Sequence, residues 1–172
     1  MDESSENGES SESGEPRGTG RTGATGDAEA LRHLHDGGDY RRLAERTADP
    51  DVLRQLARAE YPFVWHAIAR NPATPAEVLA ALSTRRHSTW NDNRLLELLA
   101  AHPALTGAAL NALVDLVAVR LRAEDRPYAA VLELARRSEV TVERLHWLGH
   151  LPGASAWLRR GITRALAARA DR

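Results

Sequence analysis

The chain has 172 residues, a formal net charge of −1 and no cysteine. This length fits a single domain, and the lack of cysteine excludes disulfides, thiol nucleophiles and thiolate metal sites. No stretch approaches the roughly 18 apolar residues that a membrane-spanning helix requires, so we expect no membrane association and a cytoplasmic location.

The N-terminal segment differs in composition from the rest of the chain. Residues 1–28 contain seven acidic residues and two arginines, a net charge of −5, which leaves +4 for residues 29–172. Up to Gly26, no large apolar residue follows Met1. Burial cannot offset the entropy cost of ordering such a segment. We therefore predict a disordered acidic tail over 1–28 and a helical repeat domain over 29–172. The tail either only increases solubility or competes with an acidic partner for the surface of the domain.

Periodic apolar residues and capping residues predict short helices throughout the domain. A first helix over 29–36 is expected to end at Gly37-Gly38, because glycine terminates helices. Thr74 and Glu77 have the spacing of a capping box, which indicates a helix start. Residues 84–90 are polar and predicted to form a loop. The other predicted helices are 40–46, 50–59, 63–70, 75–83, 92–101, 106–122 (capped by Thr106), 127–137, 142–151 and 155–170.

A repeated unit organises these helices. Residues 64–82 contain two helical patterns on either side of the hinge Asn71-Pro72-Ala73-Thr74-Pro75. Looser copies align Leu43, Leu99 and Leu134 with Ile68 of this unit. A unit this short cannot bury its own apolar face, so copies must stack. The residues predicted to form one apolar column through the stack are Ile68, Leu79, Leu82, Leu99, Leu110, Leu113, Leu134, Leu145 and Leu148.

The pattern over 64–82 resembles the leucine-rich repeat variant family, whose unit reads V-R-x-x-V-A-x-N-P-x-T-P-x-x-x-L-x-x-L. One copy matches closely and three match loosely, together covering roughly 39–148. Trp65 stands where the family usually has arginine, and the spacers lengthen toward the C-terminus, as in HEAT-type helix pairs. The resemblance implies an all-α solenoid of about four short repeats, wound as a right-handed superhelix without strands. It implies a scaffold with no fixed activity.

The linker after the second repeat is the best candidate for partner contact. The span Leu82–Leu99 is five residues longer than the equivalent span Leu56–Ile68, so 84–93 is interpreted as an insertion. Insertions in solenoids form loops on one face, often the binding face. The predicted partner-binding residues are Arg85, Arg86 and Trp90.

Two tryptophans are placed by their neighbours. Trp65 lies between the apolar residues Val64 and Ile68, which favours the core. Trp90 precedes a predicted helix, so its ring either packs against Leu95 as a hydrophobic staple or anchors a partner, because Trp and Arg are enriched at binding hot spots. Packing is the simpler of the two placements.

Signals for chemistry are weak. His146 and His150 are four residues apart and could share a metal, but no third ligand is evident, and a structural role is the simpler interpretation. No nucleophile with its base, paired carboxylates or glycine-rich phosphate loop stands out. We therefore predict no catalytic, cofactor-binding or metal site, no cofactor and no enzymatic activity.

Arginine pairs leave a second function class open. They could align along a solenoid as a stripe that follows phosphates, which suggests a HEAT-like module associated with nucleic acid or, less readily, a DNA glycosylase-like enzyme. Against this, several lie near helix C-termini, where they complement the helix dipole. The recurring arginine pairs are Arg41-Arg42, Arg85-Arg86, Arg136-Arg137 and Arg159-Arg160. The favoured function is nevertheless binding of another protein.

Overall fold

The structure is a computed structural model that describes residues 26–27 and 29–171, so the predicted disorder of 1–28 lies almost wholly outside the described residues. Within the described ranges the chain is all-helical and has no strand, with a 3₁₀ turn at Leu31–His33. The helices are α1 (Gly37–Arg46), α2 (Pro50–Leu56), α3 (Pro62–Arg70), α4 (Ala76–Ser83), α5 (Thr89–Ala101), α6 (Gly107–Arg122), α7 (Tyr128–Arg136), α8 (Val142–His150) and α9 (Ala156–Ala170).

The helices are arranged in two layers with a repeating pattern of contacts. The odd-numbered helices contact one another in chain order, from α1 to α9, and we call them the first layer. The even-numbered helices, the second layer, pack on the first-layer helices that precede and follow them. In this repeat-like fold each helix pair therefore packs mainly on its neighbours along the chain. No described helix has both the length and the apolar character needed to cross a membrane.

The predicted burial of the column residues is confirmed. All nine of these residues are at most 2% exposed and belong to one hydrophobic cluster, which continues into the first helix pair through Leu43, Leu53 and Leu56. Trp65 is also buried in this cluster, as expected. Full burial of a leucine side chain contributes about 1.5–3 kcal/mol, so the cluster is the main source of stability.

Polar side chains join the C-terminal ends of the first-layer helices. Asn71, which follows α3, donates from Nδ2 to the carbonyl oxygens of Ala44 at 2.8 Å and Thr47 at 2.7 Å. His102, which follows α5, has Nε2 3.0 Å from the carbonyl oxygen of Asn71, and its Nδ1 accepts the Ala104 N–H at 3.1 Å. Because Nδ1 is an acceptor here, the ring proton is on Nε2, which donates.

The same connection continues to the last helix. Arg137, which follows α7, donates to the carbonyl oxygens of His102 and Leu105, both at 2.9 Å. Arg169 in α9 donates to the carbonyl oxygen of Arg137 at 2.6 Å. We call this series the cap ladder: Thr47, Asn71, His102, Arg137 and Arg169. His102 follows Asn71 by 31 residues and Arg137 follows His102 by 35 residues, which are the predicted spacings between the later repeats.

Two predictions made from capping residues are wrong. Gly37-Gly38 does not end a helix but opens α1, because Asp36 and Asp39 form a reciprocal capping box around it. Thr74 does not cap α4, since its hydroxyl donates to the carbonyl oxygen of Ile68 at 2.7 Å and fixes the hinge instead. Glu77, the other half of the predicted box, pairs with Arg54 of α2 at 2.7 Å.

Candidate interaction surface at the edge of the first layer

The N-terminal ends of the first-layer helices form an edge with exposed aromatic rings. The cap ladder joins the C-terminal ends of these helices, so their N-terminal ends lie together at the opposite edge of the layer. The second residue of α3 is Phe63, that of α5 is Trp90, and that of α9 is Trp157. Their exposed fractions are 41%, 74% and 56%. We call these three residues the aromatic edge.

Further aromatic rings surround Phe63. Tyr61 stacks on it with 5.3 Å between centroids, and Tyr40 of α1 meets Tyr61 edge to face at 6.1 Å. A Cβ atom on Gly37 would lie 2.6 Å from the Phe63 ring, so the glycine allows the ring to lie against the start of α1. The aromatic cluster thus spans the first two helices of the layer.

Trp90 is the most exposed large apolar side chain among the described residues. The expected staple against Leu95 is wrong, because Leu95 is buried while the indole projects from the surface. Its only aromatic neighbour in that region is His66, whose ring is 6.4 Å away. His66 is held by a contact of 3.0 Å from Nε2 to the carbonyl oxygen of Asn91, and burial lowers the pKa of its imidazole.

Arg85 and Arg86 lie beside Trp90 along the chain but differ in their contacts. Arg85 donates to the carbonyl oxygen of Ala57 at 2.9 Å and lies 5.7 Å from the Trp65 ring. Its guanidinium therefore contributes to the packing of the preceding repeat, but the half-buried side chain also lines the depression beside Arg86, and its role in partner contact stays a prediction. Arg86 is exposed and, within the described part of the chain, bonds only to backbone oxygens of its own turn. It borders a shallow depression of about 790 Å³ that also contains Glu60 and His87.

The predicted loop before α5 is shorter than expected. Ser88 accepts the Asn91 N–H and starts α5 at Thr89, so only 84–88 form the linker. The polar residues after Ser88 form the first turn of a helix, where unpaired backbone N–H groups favour such side chains. Trp90 consequently stands on a helix instead of a loop, which fixes its direction.

A buried polar cluster holds this helix start in place. Asp92, 6% exposed, accepts the His87 N–H at 2.8 Å and pairs with Arg120 of α6 at 2.5 Å. Arg120 also pairs with Asp125 at 3.0 Å, and Asn93 donates to the carbonyl oxygen of Asp125 at 2.6 Å. These contacts tie the base of Trp90 to the next repeat, so the indole is presented from a rigid support.

Most arginines of the predicted phosphate stripe are engaged within the domain. Arg41 and Arg42 pair with carboxylates of their own helix. Arg137 belongs to the cap ladder, and Arg136 pairs with Glu133 of its own helix. A continuous row of free guanidinium groups is therefore not present along the described part of the chain.

The described residues contain no group of three or more His, Asp or Glu side chains that could hold a metal ion. His146 and His150 stand in a small surface cavity, and His150 Nδ1 lies 2.7 Å from the carbonyl oxygen of His146. That contact occupies one of the two nitrogens that a metal could use. The pair is accounted for by this local contact.

Sequence reasoning singled out Trp90 but missed Phe63 and Trp157 as parts of the same edge. The copies were aligned on the hinge, and the spacers that precede the first-layer helices vary in length. An alignment on helix starts would place all three aromatic residues at the second helical position.

Comparison of this chain with protein-family models, curated proteins and solved structures finds no match.

Proposed function

We propose that this chain is a non-enzymatic protein-binding module, built as a short right-handed α-solenoid of the leucine-rich repeat variant kind. The observation that carries the proposal is the aromatic edge, with Trp90 at its centre. Exposed aromatic rings on a monomer are typical of interaction sites, and Trp and Arg dominate binding hot spots. The partner is another protein that covers Trp90 and Arg86.

Two features support the solenoid part of the proposal. First-layer helices contact one another consecutively, and the cap ladder repeats one hydrogen-bonding role in successive units. Stacks of this kind present extended surfaces for binding. The preference for protein over nucleic acid is supported by the arginine contacts, since no continuous row of free guanidinium groups follows the described part of the chain.

The test is the double variant Arg86→Ala, Trp90→Ala, used as bait in a lysate of the native host. Protein captured by the wild-type chain should bind the variant at least about 2 kcal/mol more weakly, roughly 30-fold, which is the hot-spot threshold. The melting temperature should hardly change, because both side chains are exposed. Trp147→Ala is the matched control, since this indole is also exposed but lies on α8 in the second layer.

A variant that keeps full capture but melts at a lower temperature would contradict the proposal, because Trp90 would then act in folding only. A salt titration with duplex DNA examines the other function class. Tight binding that falls steeply with salt concentration would favour nucleic acid.

A further inference from the structure

A second surface lies between α7 and α9 on the first layer. A groove of about 480 Å³ separates these helices there. Leu132 of α7 and Ala165 and Ala168 of α9 give it an apolar floor, and the Trp157 ring lines it at the start of α9. We call this feature the α7–α9 groove.

The floor of the groove depends on Gly161. A Cβ atom at this position would lie 2.8 Å from Cδ2 of Leu132, closer than carbon atoms pack. Glycine therefore lets Leu132 lie directly on the backbone of α9. Tyr128 supports the end of the groove that Trp157 lines. The two rings stack, with 6.1 Å between their centroids and an angle of 26° between their planes. One face of the indole is thus held in place and 56% of the side chain stays exposed.

Positive charge surrounds this apolar floor. Arg136 of α7 and Arg160 and Arg164 of α9 all line the groove. Arg160 and Arg164 are one helical turn apart, are exposed, and form no salt bridge within the described residues. Among the residues that the structure describes, Arg136 pairs only with Glu133 of its own helix. The guanidinium groups outnumber the carboxylate, so the rim favours an anionic occupant.

We propose that the α7–α9 groove binds an acidic peptide segment of a partner protein that inserts one large apolar side chain. The apolar side chain covers Leu132 and Ala165, and the carboxylates beside it pair with Arg160 and Arg164, whose planar groups bind carboxylates in a bidentate manner. Segments of this kind bind helical grooves through spaced apolar anchors. The apolar floor disfavours a phosphate backbone, which has nothing to place on it. This proposal does not depend on the surface around Arg86 and Trp90.

The test begins with a peptide selection on the full chain. A phage library of random peptides of about 12 residues, long enough for one groove, is selected on the wild-type chain. Phage that also bind the double variant Arg160→Glu, Arg164→Glu are removed. The expected sequences are rich in Asp and Glu and carry a Leu, Ile, Phe or Trp. Enrichment of basic or uncharged sequences, or no enrichment at all, would overturn the proposal.

Fluorescence anisotropy then measures the affinity of the enriched peptide for a set of variants, and the variants that weaken binding locate its site. Arg164→Glu should weaken binding at least about tenfold, whereas Arg58→Glu, an equal change of charge at an exposed site in the first repeat, should alter it by less than about twofold. Trp90→Ala should also leave binding within about twofold, which separates this groove from the surface around Trp90 and Arg86. Ala168→Trp should block binding by filling the groove without a change of charge.

Other occupants give distinct outcomes, each of which would overturn the proposal. Duplex DNA that displaces the peptide would assign the groove to nucleic acid. A synthetic peptide of residues 1–28 that displaces it at similar concentration would assign the groove to this chain's own acidic segment. Dimers that dissociate on Arg164→Glu would assign it to a second copy of the chain. Undiminished binding by Arg164→Glu would place the peptide elsewhere.

Discussion

Asn71 shows how much one hinge residue can stabilise. Its Nδ2 donates to two buried carbonyl oxygens of the preceding repeat, and its Oδ1 accepts the Ala73 N–H at 2.9 Å. All the polar groups of the side chain are therefore used, although the residue is only 5% exposed. The hinge pattern that marks the repeat in the sequence is thus a requirement for contact between repeats.

Asn71→Ala should therefore be strongly destabilising. The change leaves the carbonyl oxygens of Ala44 and Thr47 without a donor, at about 1–3 kcal/mol for each buried unsatisfied group. Urea unfolding would measure the loss. Asn111→Ala is the control, because Asn111 is exposed and bonds only to Arg144, so its cost should stay within about 0.5 kcal/mol. Equal unfolding midpoints for the two variants would contradict this account of the hinge.

Glu139 is expected to make the stability of the domain depend on pH in the acid range. Hydrogen bonding from Arg137 lowers the pKa of this carboxyl to about 2, against an ordinary value of 4.5. A lowered pKa in the folded state means that the contribution to stability is complete above 4.5 and is lost as the pH falls from 4.5 to about 2. Arg137 is a member of the cap ladder, so this titration acts on a contact between repeats.

Glu139→Gln should consequently flatten the acid limb of the stability profile. The wild-type chain should lose more stability than the variant between pH 4.5 and pH 2. Urea midpoints at several pH values would measure the difference. Glu60→Gln, which changes an exposed carboxylate outside the cap ladder, should leave the slope as in the wild type. Parallel profiles for Glu139→Gln and the wild-type chain would rule out this role.

At the scale of the helices, polar caps decide where elements begin. Ser88 accepts the Asn91 N–H at the start of α5, whereas Thr106 at the start of α6 makes no such bond through its side chain. Ser88→Ala should therefore cost about 1 kcal/mol, while Thr106→Ala should cost only a few tenths. Thermal melting of the two variants would compare them. The same melting temperature for both would show that the Ser88 cap does not hold α5 in place.

The accuracy of the sequence-based predictions also differs between elements. Apolar spacing was enough for the bodies of α3, α4 and α6, because each of them buries several apolar side chains within a short run. It was not enough for the starts of α1 and α5, where side-chain caps override the usual meaning of Gly37-Gly38 and of the polar run after Ser88. Arg85 shows the limit for the site, since its partner Ala57 is 28 residues away. No local pattern encodes such a contact.

The molecule as a whole depends on one continuous apolar cluster. Leu82 of α4 and Leu113 of α6 belong to different repeats but to the same cluster. Leu82→Ala and Leu113→Ala should each cost about 2–5 kcal/mol, the usual range for a buried leucine. Denaturant midpoints would measure the loss, and Leu98→Ala, at a partly buried position beside the cluster, should cost less. Wild-type midpoints for both core variants would mean that the repeat alignment is wrong.

The cap ladder has a consequence for how the molecule can come apart. Within the described residues, each hydrogen-bonded contact of the cap ladder joins one helix pair to the pair before it. None of these contacts reaches past the neighbouring pair. Fraying of α9 would remove Arg169 from the carbonyl oxygen of Arg137, yet Arg137 would keep its own acceptors at His102 and Leu105. Local opening is therefore expected to stop at such a contact. The central helices should stay folded while the helices at the two ends open transiently. The helix start that carries Trp90 belongs to the central part.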